Sequence, residues 1–249
     1  MEVRVVDPGR LDDVGAEIIS DWLAVARPAP TFLAALGTSA LGIYKGLGDR
    51  RVAGGFDTST VRLIQLDEYV GVPDDDVRSL FGWLERDVAT PLGVPPEHVL
   101  RIDGMVADPD AEARRVARAI DDAGGIDVAV LGLGPNGHLG FNEPPSSATA
   151  PSRVVDLSAE SIDSNARYWG SPDRVPRRAI TVGMDLVLAA QRSLLVVKGE
   201  AKRSILRALV DGPARDELPA SHLRQLARAT LLADTDAWPA DIPVPSDLA

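Results

Sequence analysis

One stretch of the chain concentrates the residue types that move protons. From Leu131 to Pro144 it reads Leu-Gly-Leu-Gly-Pro-Asn-Gly-His-Leu-Gly-Phe-Asn-Glu-Pro. Four glycines, Gly132, Gly134, Gly137 and Gly140, fall within nine residues, interleaved with Asn136 and His138 and followed by Asn142 and Glu143. Imidazole titrates near neutrality and serves as general acid or base. A carboxylate beside it orients the ring and shares its proton. Glycine lets the backbone turn through positive φ and lets a ligand approach closely. His138 is one of only three histidines. The competing reading is a glycine-rich connector with an incidental histidine, but a loop that only connects has no need of this composition.

Other groups sit in comparable places. Asp67-Glu68 directly follows the apolar run Val61-Arg-Leu-Ile-Gln-Leu66. Two acids at the end of a strand suit proton transfer, and in extended backbone only one of two neighbours faces a given side; the alternative is a solvated acidic turn. Gly37-Thr38-Ser39 lies between a short apolar strand and the helical segment from Ala40. A small polar loop opening a helix offers free N–H groups and hydroxyls to an anion, although Ser and Thr are also ordinary helix caps. Lys202, in Gly199-Glu-Ala-Lys202, sits in a first helical turn, where a cation opposes the helix dipole unless an anion is bound. A solvated lysine is the alternative there, and Arg167, read from the residues alone, is an ordinary surface arginine.

These groups need a scaffold that brings strand ends and helix starts to one place. Short apolar runs (residues 3–6, 31–36, 61–66, 99–102, 127–131, 154–157, 179–182, 193–197 and 229–233) alternate with segments of helical periodicity, among them 11–26, 77–88 and 109–123. That alternation, with no internal repeat, predicts an α/β fold: a single-domain, doubly wound, mainly parallel sheet with helices on both faces, Rossmann-like in architecture. In such sheets ligands bind outside the carboxyl ends of the strands. The chain is expected to form one domain over 1–249, with a loose tail over 238–249 and with residues 146–151 forming either a flap or a plain surface loop.

Composition narrows the function classes. At 249 residues, with 45% hydrophobic and 25% charged, the chain has the balance of a soluble globular domain. A net charge of −11 with no basic patch argues against nucleic acid as a partner. The absence of cysteine excludes disulfides and thiolate chemistry. His98, His138 and His222 have no zinc-type spacing, so neither metal nor cofactor is expected. No apolar run approaches the ~20 residues of a membrane helix, and Met1-Glu-Val-Arg-Val-Val-Asp7 lacks signal-peptide character. A cytoplasmic protein acting on a small molecule is the expectation, with homo-oligomerisation left open.

The segment Gly132–Pro144 resembles, throughout its length, the signature of the glucosamine-6-phosphate deaminase (isomerase) family. The second signature of that family, Leu-Asp-Glu-Tyr-Val-Gly, matches Leu66–Gly71, and weaker likenesses fall on Leu36–Tyr44, Asn165–Tyr168, Ala179–Gly183 and Gly199–Lys202. The chain departs from the family pattern at Leu36 and Ala40, where Thr and Pro are common, at Leu80-Phe81, and at Asn136, where Asp is the best-known residue. The resemblance implies conversion of D-glucosamine 6-phosphate and water to D-fructose 6-phosphate and ammonium. It assigns sugar-ring opening to His138 with Glu143 and Asn136 orienting it, and transfer of a proton between C2 and C1 to Asp67. It places the phosphate on Arg167, Lys202 and the Gly37-Thr38-Ser39 loop.

Three other functions compete. A 6-phosphogluconolactonase shares the fold and a Gly-x-Asp-Gly-His loop, but normally lacks Asn-Glu-Pro after it and has Asp-Glu-Arg where this chain has Asp67-Glu68-Tyr69. A deaminase for a related hexosamine phosphate fits equally well. A non-catalytic sugar-phosphate sensor would follow a DNA-binding segment, for which there is no length before Thr31, and would have no use for Asp67, His138 and Glu143 together.

Overall fold

The computed structural model describes residues 1–244. In chain order its elements are β1 (Glu2–Val6), α1 (Leu11–Ala24), β2 (Thr31–Ala34), α2 (Leu41–Val52), β3 (Arg62–Gln65), β4 (Asp67–Tyr69), α3 (Leu80–Leu84), α4 (Thr90–Leu92), β5 (Val99–Leu100), α5 (Pro109–Asp122), β6 (Val128–Gly132), β7 (Arg153–Asp156), α6 (Ala159–Trp169), β8 (Arg178–Thr181), α7 (Met184–Ala189), β9 (Arg192–Val197), α8 (Arg203–Asp211) and β10 (Ala229–Asp234).

Seven strands form one sheet in the order β1-β10-β9-β6-β2-β3-β5, and every pairing in it is parallel. Alternate residues of β6 show why both faces must be covered. Val128 and Val130 join the cluster beneath α1 and α2, which includes Leu11, Ile19, Ile43 and Leu47. Ala129 and Leu131 join the opposite cluster with Val116 and Ile120 of α5 and Leu206 of α8. Each fully buried Leu or Val in these layers contributes about 1.5–3 kcal/mol of transfer free energy. From β2 the chain moves outward to β3 and β5; from β6 it moves the other way to β9 and β10. The β2–β6 junction is therefore the topological switch point, where an open parallel sheet has its crevice. The Gly37–Ser39 loop leaves β2 there, and the Gly132–Pro144 loop leaves β6.

Three expectations are corrected. The strands were expected to share one sheet, but β4, β8 and β7 form a separate three-stranded antiparallel sheet. Runs of three or four apolar residues carry no information about which sheet they join or in which direction. The helix expected over 77–88 starts later, at Leu80, capped by Ser79, and continues through a π-turn over Glu85–Ala89 into α4. Its start is fixed by a buried carboxylate: Glu68 accepts from the N–H groups of Leu80 (3.1 Å) and Phe81 (2.8 Å). The loose tail does not begin at 238. Trp238 is buried in the core, and its indole N–H donates to the Ile242 carbonyl at 2.9 Å; residues 245–249 lie outside the described residues.

Candidate active site

The Gly132–Pro144 loop is shaped by its glycines at three points. Gly137 and Gly140 have φ of +86° and +60°, conformations that side-chain-bearing residues avoid. Gly134 lies against the His138 ring: a Cβ there would come within 2.3 Å of Nε2. Beyond the turn, Asn142 is fully buried and structural. Its amide donates to the Leu139 and Val182 carbonyls, and its Oδ1 accepts from Arg153 at 2.8 Å. Arg153 also reaches Ser146 Oγ (2.8 Å) and the Pro151 carbonyl (3.1 Å). The 146–151 segment is thus tied to the floor of the loop at two points.

His138 and Glu143 face each other, with Nδ1 and Oε2 3.4 Å apart and both side chains about nine-tenths buried. The sequence did not single out the two hydroxyls that complete this group, both from the first turn of α6. Ser161 Oγ lies 3.2 Å from His138 Nδ1. Ser158, the cap of α6, accepts from the Ser161 N–H and from Asn136 Nδ2, while its own N–H faces Glu143 Oε1 at 3.4 Å. Asn136 binds the assembly together: Nδ2 donates to Glu143 Oε2 at 2.8 Å, and Oδ1 accepts from the His138 N–H at 3.3 Å. Burial alone would raise the Glu143 carboxyl. His138, Ser161 and Asn136 outweigh burial and hold it down to about 2.

Asp67 and Glu68 have opposite surroundings. The Glu68 carboxylate accepts from Gln65 Nε2, Ser79 Oγ and the N–H groups of Tyr69, Leu80 and Phe81, five donors in all. It is an internal anchor. Asp67 is also buried, but among the described residues no donor reaches its carboxylate. Burial, with the Glu68 charge beside it, pushes Asp67 up to about 8. Asp67 pairs with Thr181 in the small sheet. Thr181 Oγ1 accepts from the Phe141 N–H at 3.2 Å, and the Val182 N–H donates to Leu66. The short strand bearing Asp67 is therefore stitched to the loop bearing His138 and Glu143.

The cations close one end. Lys202 Nζ donates to the Leu133 carbonyl at 2.6 Å, at the root of the same loop. Burial, and then the neighbouring positive charge of Arg167, lower its pKa. Two cations that oppose each other in this way leave a place that an anion would fill. Arg167 is exposed on α6, with its guanidinium 4.6 Å from the Tyr168 ring centroid. Helix α2 has Ala40 at its N-cap and no side-chain cap. The Thr38 and Ser39 hydroxyls are thus not spent on capping, which removes the alternative reading of that loop. Gly37, Thr38 and Ser39 make no hydrogen bond to the other groups among the described residues. His222 is bonded to Asp216 (Nε2 to Oδ1, 3.0 Å). Among the described residues no group of three His, Asp or Glu side chains could hold a metal ion, and no helix is long and apolar enough to cross a membrane.

This arrangement, a parallel sheet with proton-transfer groups and paired cations at its switch point, defines an α/β protein that handles a phosphorylated small molecule. Residues 18–232 match the model of the glucosamine-6-phosphate isomerases/6-phosphogluconolactonase family, and the chain belongs to that family. It is 35% identical over 213 residues to a glucosamine-6-phosphate deaminase of Halothermothrix orenii, covering 86% of this chain and 88% of that protein. It is also 35% identical over 241 residues to the Streptomyces coelicolor enzyme of the same name, covering 95% and 91%. The solved structure of a monomeric glucosamine-6-phosphate deaminase superimposes with a TM-score of 0.91 at 31% identity, covering 95% of this chain and 98% of that one. A Thermotoga maritima 6-phosphogluconolactonase shares the fold, with a TM-score of 0.72 at 20% identity over 94% of this chain and 98% of that one.

Proposed function

We propose that the protein is a glucosamine-6-phosphate deaminase, converting D-glucosamine 6-phosphate and water to D-fructose 6-phosphate and ammonium. The observation that carries this reading is the buried Asp67, whose carboxylate meets no donor among the described residues, on a strand stitched to the loop that bears the His138–Glu143 pair. The deaminases at 35% identity over 86% and 95% of the chain support it.

Ring opening comes first. His138, held by an ionised Glu143, gives a proton to the ring oxygen, and the C1 hydroxyl loses one, so C1 becomes an aldehyde. Asp67 then removes the C2 proton while the C2 ammonium passes one of its own protons to the C1 oxygen, forming an enolamine, and Asp67 returns its proton at C1. A C2 iminium results; water adds to it and ammonia leaves. Asp67 must be ionised to begin, although burial and the Glu68 charge favour its neutral form. The substrate brings the correction: its C2 ammonium sits on the carbon that loses the proton, and a cation there favours the carboxylate. Arg167 and Lys202 hold the phosphate, which relieves their mutual repulsion; the Thr38–Ser39 loop adds hydroxyls and helix-start N–H groups. All these groups come from one chain, so the reaction does not require a second copy.

Purified protein given glucosamine 6-phosphate should release ammonia and fructose 6-phosphate in equal amounts. Galactosamine 6-phosphate and 6-phosphogluconolactone run in parallel separate the sibling activities. Hydrolysis of the lactone alone would overturn the reading.

A further inference from the structure

Helix α6 supplies groups to the His138–Glu143 pair that neither signature motif contains. Ser161 Oγ is 3.2 Å from His138 Nδ1, and Glu143 Oε2 is 3.4 Å from the same nitrogen. An ionised carboxylate only accepts hydrogen bonds. With Glu143 ionised, Nδ1 must therefore carry the hydrogen that faces it. The Ser161 oxygen lies where it accepts from that N–H, and its own hydroxyl proton is then free for the Glu143 carboxylate, which it helps to hold ionised. One hydroxyl so bridges acid and base. The remaining nitrogen, Nε2, belongs to the edge of the ring that lies beside Gly134, where a Cβ would collide with Cδ2, Nε2 and Cε1 alike.

We propose that Ser161 is a positioning residue: it locks His138 as the Nδ1–H tautomer, so that Nε2 is the nitrogen that exchanges a proton with the substrate. Ser158, the cap of the same helix, supports it, accepting the Ser161 N–H at 3.2 Å and the Asn136 amide at 3.1 Å. This assignment rests on the deaminase reading for its kinetic consequence, but not for its tautomer. Asn136 makes Ser161 more important. An amide at 136 holds the Glu143 oxygen but contributes no negative charge of its own to favour Nδ1–H, so the Glu143 carboxylate and the Ser161 hydroxyl carry that task between them.

The test compares wild type, Ser161→Ala and Ser161→Thr. Long-range 1H–15N correlation reads the tautomer of each imidazole; with three histidines in the chain, His138→Gln assigns the signals. His98 and His222 report that the fold is intact. Wild-type His138, when neutral, should be the Nδ1–H form. Ser161→Ala should move the tautomer ratio toward Nε2–H by about fivefold, the equivalent of one hydrogen bond. It should lower kcat for ammonia release by about 10- to 100-fold, part of the ~10²–10⁴ that a placed acid–base group supplies, with KM changed less than about threefold. Ser161→Thr, which keeps the hydroxyl, should recover most of both. An unchanged tautomer, or a kcat within about threefold of wild type in Ser161→Ala, overturns the role of Ser161. No ammonia from the wild type overturns the deaminase reading instead, while the tautomer comparison still decides the role of Ser161.

Discussion

Two carboxylates border the crevice from different parts of the molecule, and the fold treats them in opposite ways. Glu143, in the glycine-rich loop, is surrounded by the His138 imidazole, the Asn136 amide and two serines, and is held down to about 2. Asp67, in the small antiparallel sheet, meets no donor at its carboxylate among the described residues; burial and then Glu68 push it up to about 8. Environments that drive two acids apart divide the labour between them. One stays charged and orients an imidazole. The other exchanges a proton near neutral pH.

The largest effect expected on this division is from Asp67→Asn, which removes the proton carrier and keeps the shape. Ammonia release should fall by about 10³-fold or more, measured as kcat at saturating substrate. The same variant should be more stable than wild type near pH 8. A raised carboxyl is neutral and harmless below the unfolded value of 3.8 and costs stability as pH rises through its folded value of about 8. The stability advantage of Asp67→Asn, followed by thermal melts, should therefore grow from about pH 4 to pH 8, reaching on the order of a few kcal/mol at most.

Glu143→Gln sharpens the contrast, since its stability effect has the opposite sign. A lowered carboxyl stabilises the fold above its unfolded value of 4.5 and loses that contribution as pH falls toward 2. Glu143→Gln should be less stable than wild type at neutral pH, the difference closing between about pH 4.5 and pH 2 in thermal melts. Its kcat should fall by about 10²-fold. Parallel stability profiles for the two variants would contradict the assigned environments.

Gly134→Ala should act next most strongly, because its Cβ would collide with the His138 ring. A drop of about 10-fold or more in kcat, with the melting temperature shifted by only a few degrees, is expected, since small misplacements of a reacting group cost rate steeply. Arg167→Ala leaves the proton chemistry in place and removes one phosphate partner. It should raise KM by about 10-fold with the smaller change in kcat, and it should let the Lys202 pKa rise, since Arg167 depresses it from nearby.

How far the chain can be read without coordinates differs between the same two regions. Around Glu143 the residues that act are contiguous, from Asn136 to Glu143, and glycine spacing marks the loop. The parallel sheet was legible where a short apolar run is followed by a helix, as at β1, β2, β5 and β9. Asp67 could be named, but not its isolation. That depends on β8 pairing with β4 across more than a hundred residues, with β7 on the other side of β8, and short apolar runs do not encode partners. Ser158 and Ser161 read only as a helix start, because a capping serine and a serine bonded to a catalytic ring look alike in sequence. The late start of α3 was hidden for the same reason: it is set by Glu68, twelve residues before Leu80.

The central claim is that Asp67 carries the proton between C2 and C1. Running the reaction in D2O with wild type and Asp67→Asn, and following the fructose 6-phosphate and the residual glucosamine 6-phosphate by NMR, tests it directly. Wild type should place at C1 of the product a hydrogen that is partly the substrate's own C2 proton and partly deuterium exchanged into the Asp67 carboxyl, and Asp67→Asn should show neither transfer to C1 nor loss of the substrate C2 proton above background. Deuterium arriving at C1 in Asp67→Asn at the wild-type rate would contradict the account and move the base to another residue.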